Sequence, residues 1–172
     1  MKNKATLHFV SGKLASGKTT LAKRLAEKFN AILISEDVWL LTLFPGEIVN
    51  FTDYLERSAR FRNAIATHVR NLLHNGVSVV LDFAGNAPKE RAGVRSLCEA
   101  ETVKAVLHYV KASDEVCKNR LHQRNRARPE GSQPTTDEEF DEITKYFVPP
   151  DPSEGFEVKE YDADQLIDDA TL

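Results

Sequence analysis

The segment Gly12-Lys-Leu-Ala-Ser-Gly17-Lys18-Thr19 satisfies the pattern G-x-x-x-x-G-K-[ST] in full, and its surroundings supply the context that pattern needs. Thr6-Leu-His-Phe-Val10 before it reads as a buried strand, and the stretch from Lys18 to about Phe29 reads as an amphipathic helix. A glycine-bearing turn between a strand and a helix lets backbone N–H groups point inward as a nest for phosphate oxygens. The helix N-terminus adds its positive end. The expected nucleotide-binding set is therefore Gly12, Ala15, Ser16, Gly17, Lys18, Thr19 and Thr20. In it, Lys18 reaches the β- and γ-phosphates and the Thr19 hydroxyl faces Mg²⁺. A strand that feeds directly into a helix also implies an α/β fold with a parallel sheet, ligands lying at the carboxyl ends of its strands.

The rest of the chain continues the alternation. Ala31 to Ile34, Val77 to Leu81, Val103 to Val110 and Phe156 to Tyr161 read as four further strands. Helices are predicted from Asp53 to about His74, where Asn75-Gly76 ends the pattern, from Lys89 to Ala100, and from a Ser113 N-cap to about Arg126. Between Ala127 and Ser153 the periodicity gives way to Pro, Gly and polar residues around one short helix, Thr136 to about Phe147. A stretch of that length in a compact domain reads as a mobile lid. With 172 residues, the chain is expected to form a single domain.

Composition narrows the class. No run of 18 apolar residues occurs, no apolar leader precedes the first strand, and Cys98 and Cys117 stand apart. These features point to a cytoplasmic protein with two reduced thiols and no membrane partner. Residues 1–129 carry a net charge of +9 and residues 130–172 one of −12. A basic body suits a polyanionic ligand, and an acidic end disfavours nucleic acid.

Three further groups carry chemistry. Asp82 closes the third strand, where a magnesium-shell carboxylate is expected, and no Glu follows it directly. That absence lowers a water-activating hydrolase reading, and without an Asn-Lys-x-Asp motif a GTPase is disfavoured. Glu36 and Asp37 follow the second strand, so a carboxylate at the sheet edge faces the γ-phosphate end of the cradle. Either is a candidate base for an acceptor hydroxyl, Asp37 slightly preferred, while a helix-capping role for one of them is compatible. Arg120, Arg124 and Arg128 recur at i, i+4 and i+8 and are expected to meet the triphosphate, Arg120 and Arg124 stabilising charge on the transferring group.

Gly12 to Thr20, Ile34-Ser-Glu-Asp-Val-Trp39, Gly76 to Asp82 through Asn86 and the Arg120–Arg128 segment together resemble the small P-loop kinase group. That group includes chloramphenicol phosphotransferase, zeta-toxin kinases, polynucleotide kinase and uncharacterised bacterial ATP-binding proteins of the AAA type. The resemblance spans nearly the whole chain. It implies a P-loop NTPase fold, a five-stranded parallel sheet in the order 2-3-1-4-5, a base after strand two, arginines in a lid over residues 127–153, and ATP as donor. Leu14 and Ala15 stand where related loops carry Pro and a middle Gly, and Trp39 stands where polynucleotide kinases carry an Arg.

The resemblance further implies an acceptor site between strands two and three. Trp39, Phe44, Phe51 and Tyr54 are expected there mostly in the core, and Arg57, Arg60 and Arg62 solvated or facing phosphate. The acids Asp137, Glu138, Glu139, Asp141 and Glu142 would attract a cationic, hydroxyl-rich acceptor such as an aminoglycoside antibiotic. The leading expectation is thus ATP- and Mg²⁺-dependent transfer to a small molecule. A kinase of nucleotide sugars, nucleosides or polynucleotides and a non-catalytic nucleotide switch remain the alternatives.

Overall fold

Short runs rich in Val, Ile and Leu pair in parallel to form the centre of the molecule, as expected of strands covered on both faces. The computed structural model describes residues 4–98, 103–127 and 134–164. Its strands are β1 (Thr6–Ser11), β2 (Ile32–Ser35), β3 (Val79–Asp82), β4 (Lys104–Lys111) and β5 (Glu157–Asp162). They form one sheet in the order β2-β3-β1-β4-β5, every pairing parallel. This is the P-loop kinase-type architecture, with β1 central and its carboxyl end feeding the phosphate loop.

Helices cover both faces. On one side α1 (Lys18–Lys28) buries Leu21, Ala22 and Leu25 against Val10, Val80 and Val110. On the other, α3 (Phe51–His74) and α4 (Pro88–Arg95) set Phe61, Val69, Leu73 and Val94 on Leu7, Phe9, Leu81 and Leu107. A third, smaller cluster joins α5 (Asp114–Ala127) to α6 (Asp137–Thr144) through Cys117, Leu121 and Phe140. Cys98 and Cys117 are both buried and free. Among the described residues no helix is long and apolar enough to cross a membrane.

Several boundaries differ from the sequence-based expectation. A helix α2 (Glu36–Leu43) follows β2 without a loop. Its apolar residues occur at nearly every position, so no 3.6-residue period marks it. α3 starts two residues early, at Phe51, because the Asn50 side chain accepts from the Asp53 N–H and caps it. β3 begins at Val79 rather than Val77. α6 is shorter than predicted, held at its start by a reciprocal Thr136–Glu139 capping box and ending at Thr144. The helix from Pro88 ends at Arg95, and its predicted last residues, Glu99 and Ala100, lie outside the described residues.

Candidate active site

The loop from β1 to α1 adopts a conformation that its glycines require. Gly12 has φ 154°, and a Cβ there would lie 2.7 Å from both Ser16 Oγ and the Val110 carbonyl oxygen. Gly17 caps α1 in a left-handed conformation at φ 106°. Ala15 is also left-handed, at φ 59°, a conformation that costs an L-residue about 1–2 kcal/mol. The loop thus keeps the turn that a middle glycine would ease, at some strain. Ser16 is fully buried, and its Oγ has no hydrogen-bond partner among the described residues. Lys18 Nζ donates to the Lys13 carbonyl at 2.6 Å. Burial pulls its pKa below the ordinary lysine value, opposed by the charges of Asp82 and Asp37.

A cleft of about 480 Å³ opens above this loop at the carboxyl ends of the strands. Ala15, Gly17, Lys18, Thr19, Thr20, Asp37, Asp82, Arg120 and Arg124 all line it, so most of the residues singled out from sequence meet there. Gly12 and Ser16 lie beneath it, buried. Arg128 lies outside the described residues. Asp82 closes β3 and accepts a hydrogen bond from Ser35 Oγ at 3.2 Å.

The adjacent acids part company. Glu36 is 1% exposed and does not line the cleft. Arg62 donates to it from Nε at 2.5 Å and from Nη2 at 2.8 Å, Tyr54 Oη at 3.1 Å, and the Ala84 N–H at 3.2 Å. With four donors on two oxygens, Glu36 is a buried clamp among α2, α3 and the segment after β3. Of the two candidate bases, Glu36 is thus the one held away from the cleft. Asp37, one residue on, opens into the cleft and keeps contact with solvent. Desolvation by the cleft walls raises its pKa above the ordinary value, reinforced by Asp82 and Glu36 and opposed by Lys18 and Arg124.

The arginines differ as well. Arg120 donates from Nη1 to the Ser16 carbonyl and from Nη2 to the Ala163 carbonyl, each at 2.7 Å, fastening the phosphate loop to the chain after β5. Arg124 stands close enough to Lys18 and Asp37 to shift both, and its buried Nε has no partner among the described residues. In α3, Arg57 pairs with Glu47, Arg60 with Glu56 and Arg62 with Glu36. They are thus neither phosphate-facing nor simply solvated. Phe51 and Tyr54 line the cleft, Tyr54 also packing against the core as Phe44 does.

The segment predicted as a lid is described from residue 134 on, residues 128–133 lying outside the described residues, and its described part is docked. Phe140 is fully buried, and Asn125 on α5 binds the Thr135 backbone through both its amide atoms. Among the described residues of the segment, Thr135 and Ile143 line the cleft. The acidic run does not: Asp137 pairs with His122, Asp141 with Lys118, Glu142 with Lys145, and Glu139 caps its own helix. Sequence reasoning missed the lid's anchor. Arg91, fully buried, donates from Nε and Nη2 to Glu154 at 2.7 and 2.8 Å, and from Nη1 to the carbonyls of Gly85 and Val148. No local motif signals that pair, because 63 residues separate its members.

Comparison with known proteins agrees with this geometry. The chain is similar over 98% of its length to a protein from Chloroflexus aurantiacus provisionally described as a kinase, covering 94% of it at 18% identity and a TM-score of 0.72. It is similar over 94% to Chaetomium thermophilum Kti12, solved with ADP-AlF3, covering 97% at 17% identity and a TM-score of 0.68. A gluconokinase from Sinorhizobium meliloti is matched over 94% of this chain and 84% of its own, at 16% identity and a TM-score of 0.58. No curated protein sequence is significantly similar. The profile of the AAA domain family AAA_33 matches residues 7–150, which contain the phosphate loop, both acids, Asp82 and the arginines. The chain belongs to that AAA domain family.

Proposed function

We propose that the chain is an ATP-dependent phosphotransferase that moves the γ-phosphate to a hydroxyl of a small molecule. The observation that carries this is the sharing of one cleft by Lys18 and Asp37, a phosphate-binding ammonium facing a carboxylate at the exit of β2. In the proposed reaction the acceptor hydroxyl gives its proton to Asp37 as its oxygen bonds to the γ-phosphorus. The bond from that phosphorus to the β,γ-bridging oxygen breaks, and ADP leaves. The loop N–H groups hold the phosphates, and Lys18 and Arg124 offset charge on the transferring group. Arg120 holds the loop in shape from behind. Glu36 acts as a positioning residue that fixes the start of α2, and so the place of Asp37.

Thr19 and Asp82 offer a hydroxyl and one carboxylate in the same cleft. This all-oxygen pair fits Mg²⁺, which keeps most of its shell as water and phosphate oxygens. Bound there, the ion would neutralise phosphate charge. The gluconokinase and the other kinase neighbours support transfer to an alcohol through their fold alone. The cationic-antibiotic acceptor loses its electrostatic basis, because none of the acids from Asp137 to Glu142 lines the cleft.

The test is acceptor-dependent release of ADP, with the phosphate adduct identified by mass spectrometry. Lys18→Ala should weaken triphosphate binding and abolish the adduct. A protein that hydrolyses ATP at one rate regardless of acceptor, or a Lys18→Ala variant that keeps both binding and transfer, would overturn the proposal.

A further inference from the structure

The cleft has two chemically different flanks. Its cations, Lys18, Arg120 and Arg124, come from α1 and α5. The opposite flank, built from α2, α3 and the segment after β3, presents Phe51, Tyr54, Phe83 and Ala84, with Asp37 and Asn86 as its polar members. Resting on the phosphotransferase reading above, we infer that the acceptor is an uncharged alcohol with an aromatic or aliphatic body. That body lies on Phe51 and Tyr54, and its hydroxyl lies at Asp37.

Charge excludes the other classes. An acceptor carboxylate or phosphate on this flank would sit beside Asp37 and Asp82, and no cation among the described residues lines the cleft on that side. Arg62 does not line the cleft: its Nε and Nη2 are given to Glu36 and the Ala84 carbonyl, and its face covers the Phe83 ring at 5.4 Å. Arg57 and Arg60 are held by Glu47 and Glu56. A polycationic acceptor would meet Lys18 and Arg124 at the transfer point, and the lid acids able to attract it lie outside the cleft.

The polar inventory fits a neutral guest. The Tyr54 hydroxyl is tied to Glu36, so the residue offers the cleft its ring rather than a donor. Phe51 stacks on that ring at 6.3 Å and remains 53% exposed, an apolar surface left uncovered by the protein itself. The Asn86 side-chain amide makes no hydrogen bond among the described residues and is available to orient a second oxygen of the acceptor. Beyond the mouth, the two helices that begin there carry further exposed apolar side chains, Val38 and Leu41 on α2 and Leu55 on α3. Such exposure on a flank lined by rings marks a surface that meets an apolar ligand.

The experiment uses the full chain loaded with Mg²⁺ and a non-hydrolysable ATP analogue. Three probe pairs are compared by ligand-detected NMR, and then with ATP for phosphate adducts. They are 2-naphthaleneethanol and 4-phenylbutanol, gluconate and adenosine 3′-monophosphate, and glucosamine and kanamycin. The neutral pair should bind and be phosphorylated. Phe51→Ala should weaken that binding roughly tenfold, the worth of one aromatic contact, while nucleotide affinity stays the same. Phe51→Arg, at an exposed position that the fold tolerates, should shift preference toward the anionic pair. Binding or phosphorylation of the anionic or cationic pair by the unmodified protein, with the neutral pair rejected, overturns this inference and leaves the phosphotransferase reading standing. Binding of none of the six while the ATP analogue still binds also overturns it. Acceptor-independent ATP hydrolysis removes the phosphotransferase reading itself.

Discussion

Two adjacent carboxylates with opposite fates provide the sharpest test of the site. Glu36→Gln keeps the shape of the side chain and removes its charge. The native carboxylate takes two charge-assisted bonds from Arg62, one from Tyr54 and one from the Ala84 N–H. Hydrogen bonds to charged groups contribute about 1.5–3 kcal/mol each, and breaking a buried pair costs about 3–5 kcal/mol. Because glutamine retains one acceptor oxygen, a loss of about 2–4 kcal/mol is expected. For a chain of this size that lowers Tm by roughly 5–15 °C. Asp37→Asn should do the reverse. The native carboxylate is crowded by the cleft walls, Asp82 and Glu36, so removing its charge leaves Tm unchanged or slightly higher. Turnover should fall by about 10²–10⁴, the contribution of a general base. Circular dichroism melts, calorimetric titration with ATP and adduct-based turnover well below the lower Tm separate the two effects. If Glu36→Gln abolishes turnover without moving Tm while Asp37→Asn stays active, the assignment of clamp and base is wrong.

Three further outcomes follow from the same coordinates. The pKa of Asp37 is raised, so the acid limb of the turnover–pH profile should lie above the ordinary aspartate range, falling about tenfold per pH unit below it. A limb at or below the ordinary aspartate value would count against Asp37 as base. Ala15→Gly relieves a left-handed alanine but adds freedom to the unfolded chain, so calorimetry should find a net gain of no more than about 1 kcal/mol. His8 Nδ1 lies 3.0 Å from His108 Nε2, and His108 Nδ1 lies 2.8 Å from Tyr161 Oη. Burial first, and nearby positive charge second, lowers their pKa values to about 4 and about 3. The unfolded chain therefore binds more protons across that window, and stability should decline as pH falls from about 6.5 toward 4. Denaturant melts of His108→Leu should start from a lower stability at neutral pH and show a flatter decline.

Much of the donor end was legible because its residues are consecutive. Gly12 to Thr20 lie between one strand and one helix, and local spacing alone predicts the glycine-dependent turn that joins them. Asp82 was legible for a similar reason, since the end of a buried strand in this topology is the sheet edge. The choice between Glu36 and Asp37 was not. It depends on where α2 begins, and residues 38–43 are too uniformly apolar to show a helical phase. The lid acids misled because a run of like charge looks like a field when its partners are unknown. His122 and Lys118, 15 and 23 residues before Asp137 and Asp141, turn that run into a set of local pairs. The Arg91–Glu154 clamp and the His8–His108 contact join positions 63 and 100 residues apart, beyond any periodicity argument.

The division of charge along the chain takes on a different meaning in three dimensions. The basic α5 and acidic α6 meet through Lys118–Asp141 and His122–Asp137, on the outside of the buried Phe140. Exposed pairs of this kind contribute about 0–1 kcal/mol each, whereas burying one large apolar side chain contributes about 1.5–3 kcal/mol. Phe140 therefore holds the lid, and the surrounding charges set its register. Neutralising charge outside the cleft leaves within it a small set of groups with no hydrogen-bond partner among the described residues. Asp37 and the Nε of Arg124 remain in a cleft that also presents Lys18, Thr19 and Asp82. Those residues carry opposite charges at short range and would collapse on one another in a flexible site. Here Glu36 and Arg62 fix one wall, Arg120 fixes the loop, and Arg91 fixes the lid's far end. The structural contacts are thus what keeps the charged groups of the cleft apart, leaving between them the room that the proposed triphosphate and alcohol would need.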